Sequence, residues 1–122
     1  MEIKAKSRIQ SFKYAIKGII YAFKHEKNIW IQSVCAVAVI VAGFVFKISI
    51  IEWIAIVLCI GIVLTCEIMN TTIEVIVDFI SPKYHQKAGL IKDLAAGAVL
   101  VVAIMSVLVA AIIFIPKLII FC

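Results

Sequence analysis

Chain breakers are scarce in this sequence of 122 residues, which holds two prolines and five glycines. Helices can therefore run long, and from Ile50 no strong breaker occurs before Ser81-Pro82. Charge is scarce as well. Only 16% of residues are charged while 66% are hydrophobic. A soluble domain of this size has too much surface to hide so many apolar side chains, which leaves a bilayer as the solvent and one domain as the natural count. The four cysteines (Cys35, Cys59, Cys66 and Cys122) form no CxxC pair. Three of them stand in apolar runs, where Cys behaves as a small hydrophobe. No cleavable signal peptide is visible, because the first ~28 residues are charged throughout and lack an early apolar core. The first span is then expected to serve as its own insertion signal. Neither a GxxxxGK[ST] loop nor a GxGxxG before a helix is present, so the known soluble phosphate-binding loops are excluded. The formal net charge is +5. Lipid phosphate explains that charge more simply than nucleic acid does.

Three stretches are long enough to cross hydrocarbon: 29–46, 50–66 and 94–115. At 1.5 Å per residue they cover roughly 25 to 33 Å, against the ~30 Å of a bilayer core. Trp30 and Trp53 sit near opposite ends of the first hairpin, as interfacial aromatics do. The short connector Lys47-Ile-Ser-Ile-Ile-Glu52 makes the first two spans antiparallel neighbours, with Glu52 expected as a solvated interfacial charge. Lys4, Lys6, Arg8, Lys13, Lys17, Lys24 and Lys27 precede the first span, and Lys83, Lys87 and Lys92 lie between the second and third. The opposite side carries Lys47 and Lys117. This bias predicts a cytosolic N-terminus and an external C-terminus. Ahead of the first span, Ile9, Phe12, Ile16, Ile19, Ile20 and Phe23 recur at helical spacing among lysines. Residues 5–25 therefore read as an amphipathic helix on the inner membrane surface.

The second span carries an anomaly. Glu67, Asn70, Thr71, Glu74 and Asp78 fall within one helical arc of roughly 100°. A charge in hydrocarbon costs several kcal/mol unless it is paired, hydrated or bound to a cation, so such a stripe is a functional-site hypothesis by default. One continuous helix over 50–80 is about 46 Å long and must project past the hydrocarbon, which sets Glu67 about 25 Å and Glu74 about 36 Å from its start. The stripe then straddles the inner interface. A carboxylate at the lipid head-group depth, Glu67, can accept the proton of a lipid hydroxyl. Glu74, just outside, suits Mg²⁺, which takes one or two carboxylates and completes its shell with water and phosphate oxygens. Lys92-Asp93 is expected to open the third helix at the same face, bringing an ammonium and helix N-terminal amides to phosphate. Together these parts describe phosphoryl transfer, in which the protein mainly positions groups and neutralises charge.

Glu67-Ile-Met-Asn70-Thr-Thr-Ile-Glu74-Val-Ile-Val-Asp78, then Tyr84-His85 and Lys92-Asp93 with Ala96-Gly97, resembles the signature of the prokaryotic diacylglycerol kinase family of small membrane lipid kinases. The likeness extends to Phe12-Lys-Tyr14-Ala-Ile-Lys-Gly18 and His25-Glu26-Lys-Asn28, and so covers nearly the whole chain. It implies an all-α membrane fold, a surface helix plus three transmembrane helices (about 29–46, 50–80 and 92–115), working as a homotrimer with sites between subunits. By the same resemblance Glu67 is the proton acceptor, and Glu26 and Glu74 hold Mg²⁺ beside ATP. Tyr14, Lys83, Tyr84, His85, Lys92 and Asp93 contact nucleotide, and Asn70 orients the reacting groups. The implied location is the bacterial plasma membrane, with the active site facing the cytosol. Where diacylglycerol-type members carry Gly-Ser, this chain has Leu94-Ala95-Ala96-Gly97, which removes a hydroxyl from the lipid side. That variant, with Ser49-Ile-Ile-Glu-Trp53, looks more like the Gram-positive branch that phosphorylates undecaprenol. Ala96 is then expected to touch the acceptor lipid, with diacylglycerol as the alternative substrate.

Bland readings compete at each point. Glu67 and Glu74 could be a structural pair held by Asn70 or a lysine, His85 a solvated loop residue and Tyr14 an interfacial aromatic. Gly61, Ala96 and Gly97 read as close-packing positions between helices. A small multidrug transporter also carries a membrane glutamate, but it calls for a fourth span and an acid near the midplane. A non-catalytic assembly subunit gives no account of five polar groups on one arc.

Overall fold

In the computed structural model the described residues are 7–121, and all the regular structure among them is helical. Residues 5 and 6 of the expected surface helix, Lys4 and Lys6, and Cys122 lie outside that range. Four helices follow in order: α1 (Arg8–His25), α2 (Lys27–Val45), α3 (Ile50–Ile80) and α4 (Gln86–Phe121). The last three are each long and apolar enough to cross a membrane. Among the described residues eight apolar side chains are buried, whereas Ile51, Val107 and Ile120 are 79%, 68% and 84% exposed. So little apolar burial would not hold a water-soluble fold together; the exposed belt belongs against lipid or other protein.

Local chemistry explains where each helix starts and stops. Ser7 caps α1, its Oγ accepting from the Gln10 N–H at 3.2 Å. Glu26 is extended (φ −119°) and is at once the C-cap of α1 and the N-cap of α2, so a single residue forms the corner. The Trp30 indole N–H donates to the Phe23 carbonyl at 2.6 Å, and the two rings meet edge to face at 5.6 Å, tying α1 to α2.

Between α2 and α3 the chain turns over Lys47, the one non-glycine residue at positive φ (51°) among those described. The Ile48 N–H returns to the Gly43 carbonyl at 3.2 Å and the Lys47 N–H to that of Phe44 at 3.4 Å. This is a Schellman closure with lysine where glycine usually stands. Ser49 and Glu52 then form a reciprocal capping box at the start of α3. The Trp53 ring lies over Gly43 so closely that an added Cβ would stand 2.6 Å from its Cη2. Ile48, Ile56 and Ile113 form the apolar core at this end of the molecule, with Phe46 and Phe114 packed alongside.

Three features differ from expectation. Helix α4 begins at Gln86, not at Lys92. The His85 Nδ1 accepts from the Lys87 N–H at 3.0 Å and so supplies a start signal of a residue type seldom read as a cap. Lys92 and Asp93 therefore lie well inside the helix, away from its free N-terminal amides. The same helix continues through Pro116 to Phe121. In apolar surroundings unsatisfied backbone groups are costly, so breaking the helix at a proline that forfeits one bond is the worse option. Glu52, finally, is not simply solvated. It accepts from the Lys117 ammonium at 2.6 Å, and that ammonium also donates to the Ile113 carbonyl at 3.1 Å, so the pair locks the start of α3 to the end of α4.

Candidate active site

Helix α3 supplies the centre of the site. Glu67 is 1% exposed, Thr71 6% and Asn70 7%, the three buried polar residues among those described. The Thr71 hydroxyl donates back to the Glu67 carbonyl at 3.1 Å, satisfying itself within the helix. The Glu67 Oε2 has no partner, and neither has the Asn70 Oδ1. Buried acceptors left open in this way are uncommon and invite a ligand or water. The Asn70 amide donates to the Glu74 Oε1 at 3.0 Å, so the structural reading of Glu74 as held by Asn70 is correct as far as it goes. It leaves Glu67 unexplained.

Gln32 from α2 reaches the Glu67 carboxyl, and the charges of Glu26, at the α1–α2 corner, and Glu74, two turns along α3, act on it electrostatically. Gln32 escaped the reading of the sequence. Its signal was an amide a turn into an apolar run, weaker than a carboxylate but of the same kind. Among the described residues no three His, Cys, Asp or Glu side chains gather as a metal cluster. Two carboxylates are nevertheless enough for a magnesium ion that takes its other ligands from water and phosphate, so Glu26 and Glu74 fit the donor set.

A second group of residues meets at the α3–α4 connection. Lys83, Tyr84 and His85 line a hollow of about 240 Å³ together with Asp78 and Lys92. The Lys92 ammonium donates to the Asp78 Oδ1 at 2.6 Å, with both side chains well exposed. Tyr14 lies on α1, with the Lys17 ammonium 5.9 Å from its ring centre.

The profile of the prokaryotic diacylglycerol kinase family matches residues 13–114. The chain belongs to that family. It is 43% identical over 109 residues to the undecaprenol kinase of Bacillus subtilis (strain 168), a match covering 89% of each chain. It is 36% identical over 115 residues to a Synechocystis diacylglycerol kinase, covering 93% of this chain and 66% of that one. The Escherichia coli (strain K12) diacylglycerol kinase is 28% identical over 100 residues, 82% of each.

Within this member of the family, the helix phase separates neighbouring residues of α4. Lys92 turns toward α3, and one turn on it is Ala95 that is buried, at 8% exposure. Asp93 and Ala96 are exposed. Ala96 therefore does not share a crevice with Lys92 inside a single chain. Nor do Gly61 and Gly97 mark close packing between this chain's own helices, because an added Cβ at either would meet nothing within 4 Å. Gly43, against Trp53, is the glycine that does.

Proposed function

We propose that this lipid kinase uses ATP and Mg²⁺ to phosphorylate undecaprenol at the cytosolic face of a bacterial plasma membrane. The observation that carries the reading is the buried Glu67 with its open Oε2, set just past the middle of a helix otherwise fit for hydrocarbon. In this reading Glu67 takes the proton of the lipid hydroxyl as its oxygen attacks the γ-phosphorus of ATP, and ADP leaves. Glu26 and Glu74 hold the metal, which when bound neutralises phosphate charge. Asn70, anchored on Glu74, presents its Oδ1 toward the reacting groups. Lys83, Tyr84, His85, Lys92 and Asp93 bind the nucleotide, with Tyr14 reaching it from α1; Lys92 would exchange Asp78 for phosphate.

The polyprenol is favoured over diacylglycerol by the 43% identity to an undecaprenol kinase along 89% of the chain. Diacylglycerol stands as the second reading because the Synechocystis and Escherichia coli relatives carry that name. Helix α1, with apolar and basic residues on separate faces, lies on the inner leaflet. The working unit is a homotrimer, a reading supported by the open space at Gly61 and Gly97 and by the apolar belt. Across a subunit boundary the exposed Ala96 could then touch the lipid. The test is phosphate transfer from ATP to undecaprenol and to diacylglycerol, each offered alone in mixed micelles to the purified protein. Undecaprenol should give the higher kcat/KM. A preference for diacylglycerol would install the second reading, and ATP consumption without a lipid alcohol would discard both.

A further inference from the structure

Helix α2 turns one stripe toward its neighbours. Ile29 and Gly43 are its buried residues, and Gln32, three positions after the first and eleven before the second, lies on the same stripe. On α3 the matching stripe holds Ile56, Val63 and Glu67, all buried. The contact of Gly43 with Trp53 fixes the level of these two antiparallel helices. Eleven residues back along α2 and eleven on along α3 bring Gln32 level with Leu64, and the two line one hollow together. Glu67 then stands about 4.5 Å farther toward the Glu26 end. Helical side chains lean toward their own N-terminus, so in antiparallel helices Gln32 and Glu67 lean toward each other. The Gln32 amide reaches the Glu67 carboxyl. Of the two carboxyl oxygens, Oε2 is the one left without a partner.

We propose that Gln32 is a positioning residue for the transfer: its side-chain N–H holds one oxygen of the Glu67 carboxylate, so that Oε2 faces the hydroxyl whose proton it takes. This rests on the kinase reading above and adds to it a residue that acts through the base. The last torsion of a glutamate is broad, so a carboxylate without such an anchor points its lone pairs in many directions. Thr71 and Asn70 supply no anchor, since the first bonds its own helix and the second donates to Glu74. A neutral amide suits the task where a lysine does not. It donates without bringing a further charge into the apolar run, and it leaves the carboxylate basic enough to accept a proton. Misplacing a reacting group by about 1 Å can cost about a hundredfold in rate, so Gln32 bears on turnover without touching the substrate.

Gln32→Met fills the same length with no donor. Its kcat should fall about tenfold or more, the effect of losing one hydrogen bond to a charged group, while KM for ATP and for the lipid alcohol stays within about twofold. In a Glu67→Gln background Gln32→Met should cost nothing further, because the carboxylate it positions is gone. A role in packing alone would multiply the two losses. The contact itself is read by NMR in micelles, on protein isotope-labelled in its glutamine side chains and carrying Gln10→Ala and Gln86→Ala, which leave Gln32 as the only glutamine. Its amide proton should move upfield when Glu67→Met removes the acceptor. That arm needs no Gln32 variant to fold. Unchanged kcat in folded Gln32→Met, a full further loss in the Glu67→Gln background, or an amide signal indifferent to Glu67 would each overturn the positioning role. A wild-type protein that transfers no phosphate to a lipid alcohol would instead overturn the kinase reading, and the amide signal would still decide whether Gln32 holds Glu67.

Discussion

Glu67 stands out because it is buried with its Oε2 unpartnered. Thr71 bonds its own helix, Asn70 spends its amide on Glu74, and Gln32 faces the carboxyl from α2. Replacing Glu67 by Gln keeps the volume and the neighbours while removing the proton acceptor. Turnover should fall by about 10² or more, with nucleotide binding retained, the usual scale for losing a general base. Rapid-quench turnover and ATP titration measure the two separately, and near-normal turnover would take the base role from Glu67. Glu67, Asn70, Thr71 and Glu74 were legible in the sequence because a carboxylate or amide in an apolar run is expensive and therefore conspicuous, whereas Gln32, a lone amide early in the first span, was not. Ala95 and Ala96 were not distinguishable there. Which of two adjacent alanines is buried depends on helix phase, and the phase follows from how α4 packs along α3, a tertiary matter that leaves no local trace.

At the scale of elements, the apolar runs and the absence of breakers sufficed to foresee three long helices, but not how their ends are fastened. The Ser49-x-x-Glu52 box was readable locally, whereas the closure of the same glutamate on Lys117 joins positions 65 apart and leaves no local trace. The α2–α3 turn is where a helix end tolerates least. Gly43→Ala puts a Cβ 2.6 Å from the Trp53 ring, and the ring is held between Phe44 and the turn, so it must shift bodily. A loss of about 1–3 kcal/mol is expected, the range for overpacking a tight contact. Lys47→Gly works the other way. It relieves a side chain from the left-handed region, worth about 1–2 kcal/mol, against a smaller entropic cost in the unfolded chain. Thermal unfolding in detergent should therefore rank Lys47→Gly above wild type and Gly43→Ala below it. Equal midpoints for the glycine variant and wild type would mean that the turn carries no strain.

For the whole molecule, one end is built from apolar packing and the other from polar chemistry, and orientation decides whether that chemistry can reach ATP. The Ile48–Ile56–Ile113 core and the Glu52–Lys117 pair close the end at the α2–α3 turn. Glu26, Glu74 and the Lys83-Tyr84-His85 connector gather at the other. The basic residues divide unequally between the two. Arg8, Lys13, Lys17, Lys24, Lys27, Lys83, Lys87 and Lys92 belong to the polar end, and Lys47 and Lys117 to the apolar one. Retention of Lys and Arg on the cytosolic side predicts a cytosolic position for the hollow lined by Lys83, Tyr84 and His85. The same assignment sends both α1 and the α3–α4 connector to the side where anionic lipid and ATP are found. A single cysteine introduced at Lys87, in a variant otherwise free of cysteine, should be inaccessible to an impermeant maleimide added outside intact cells and should label after the membrane is opened. A cysteine at Ser49 should label from outside. Labelling of the Lys87 site in intact cells would put the hollow on the face without ATP, and the assignment of Lys83, Tyr84 and His85 to nucleotide would fall with it.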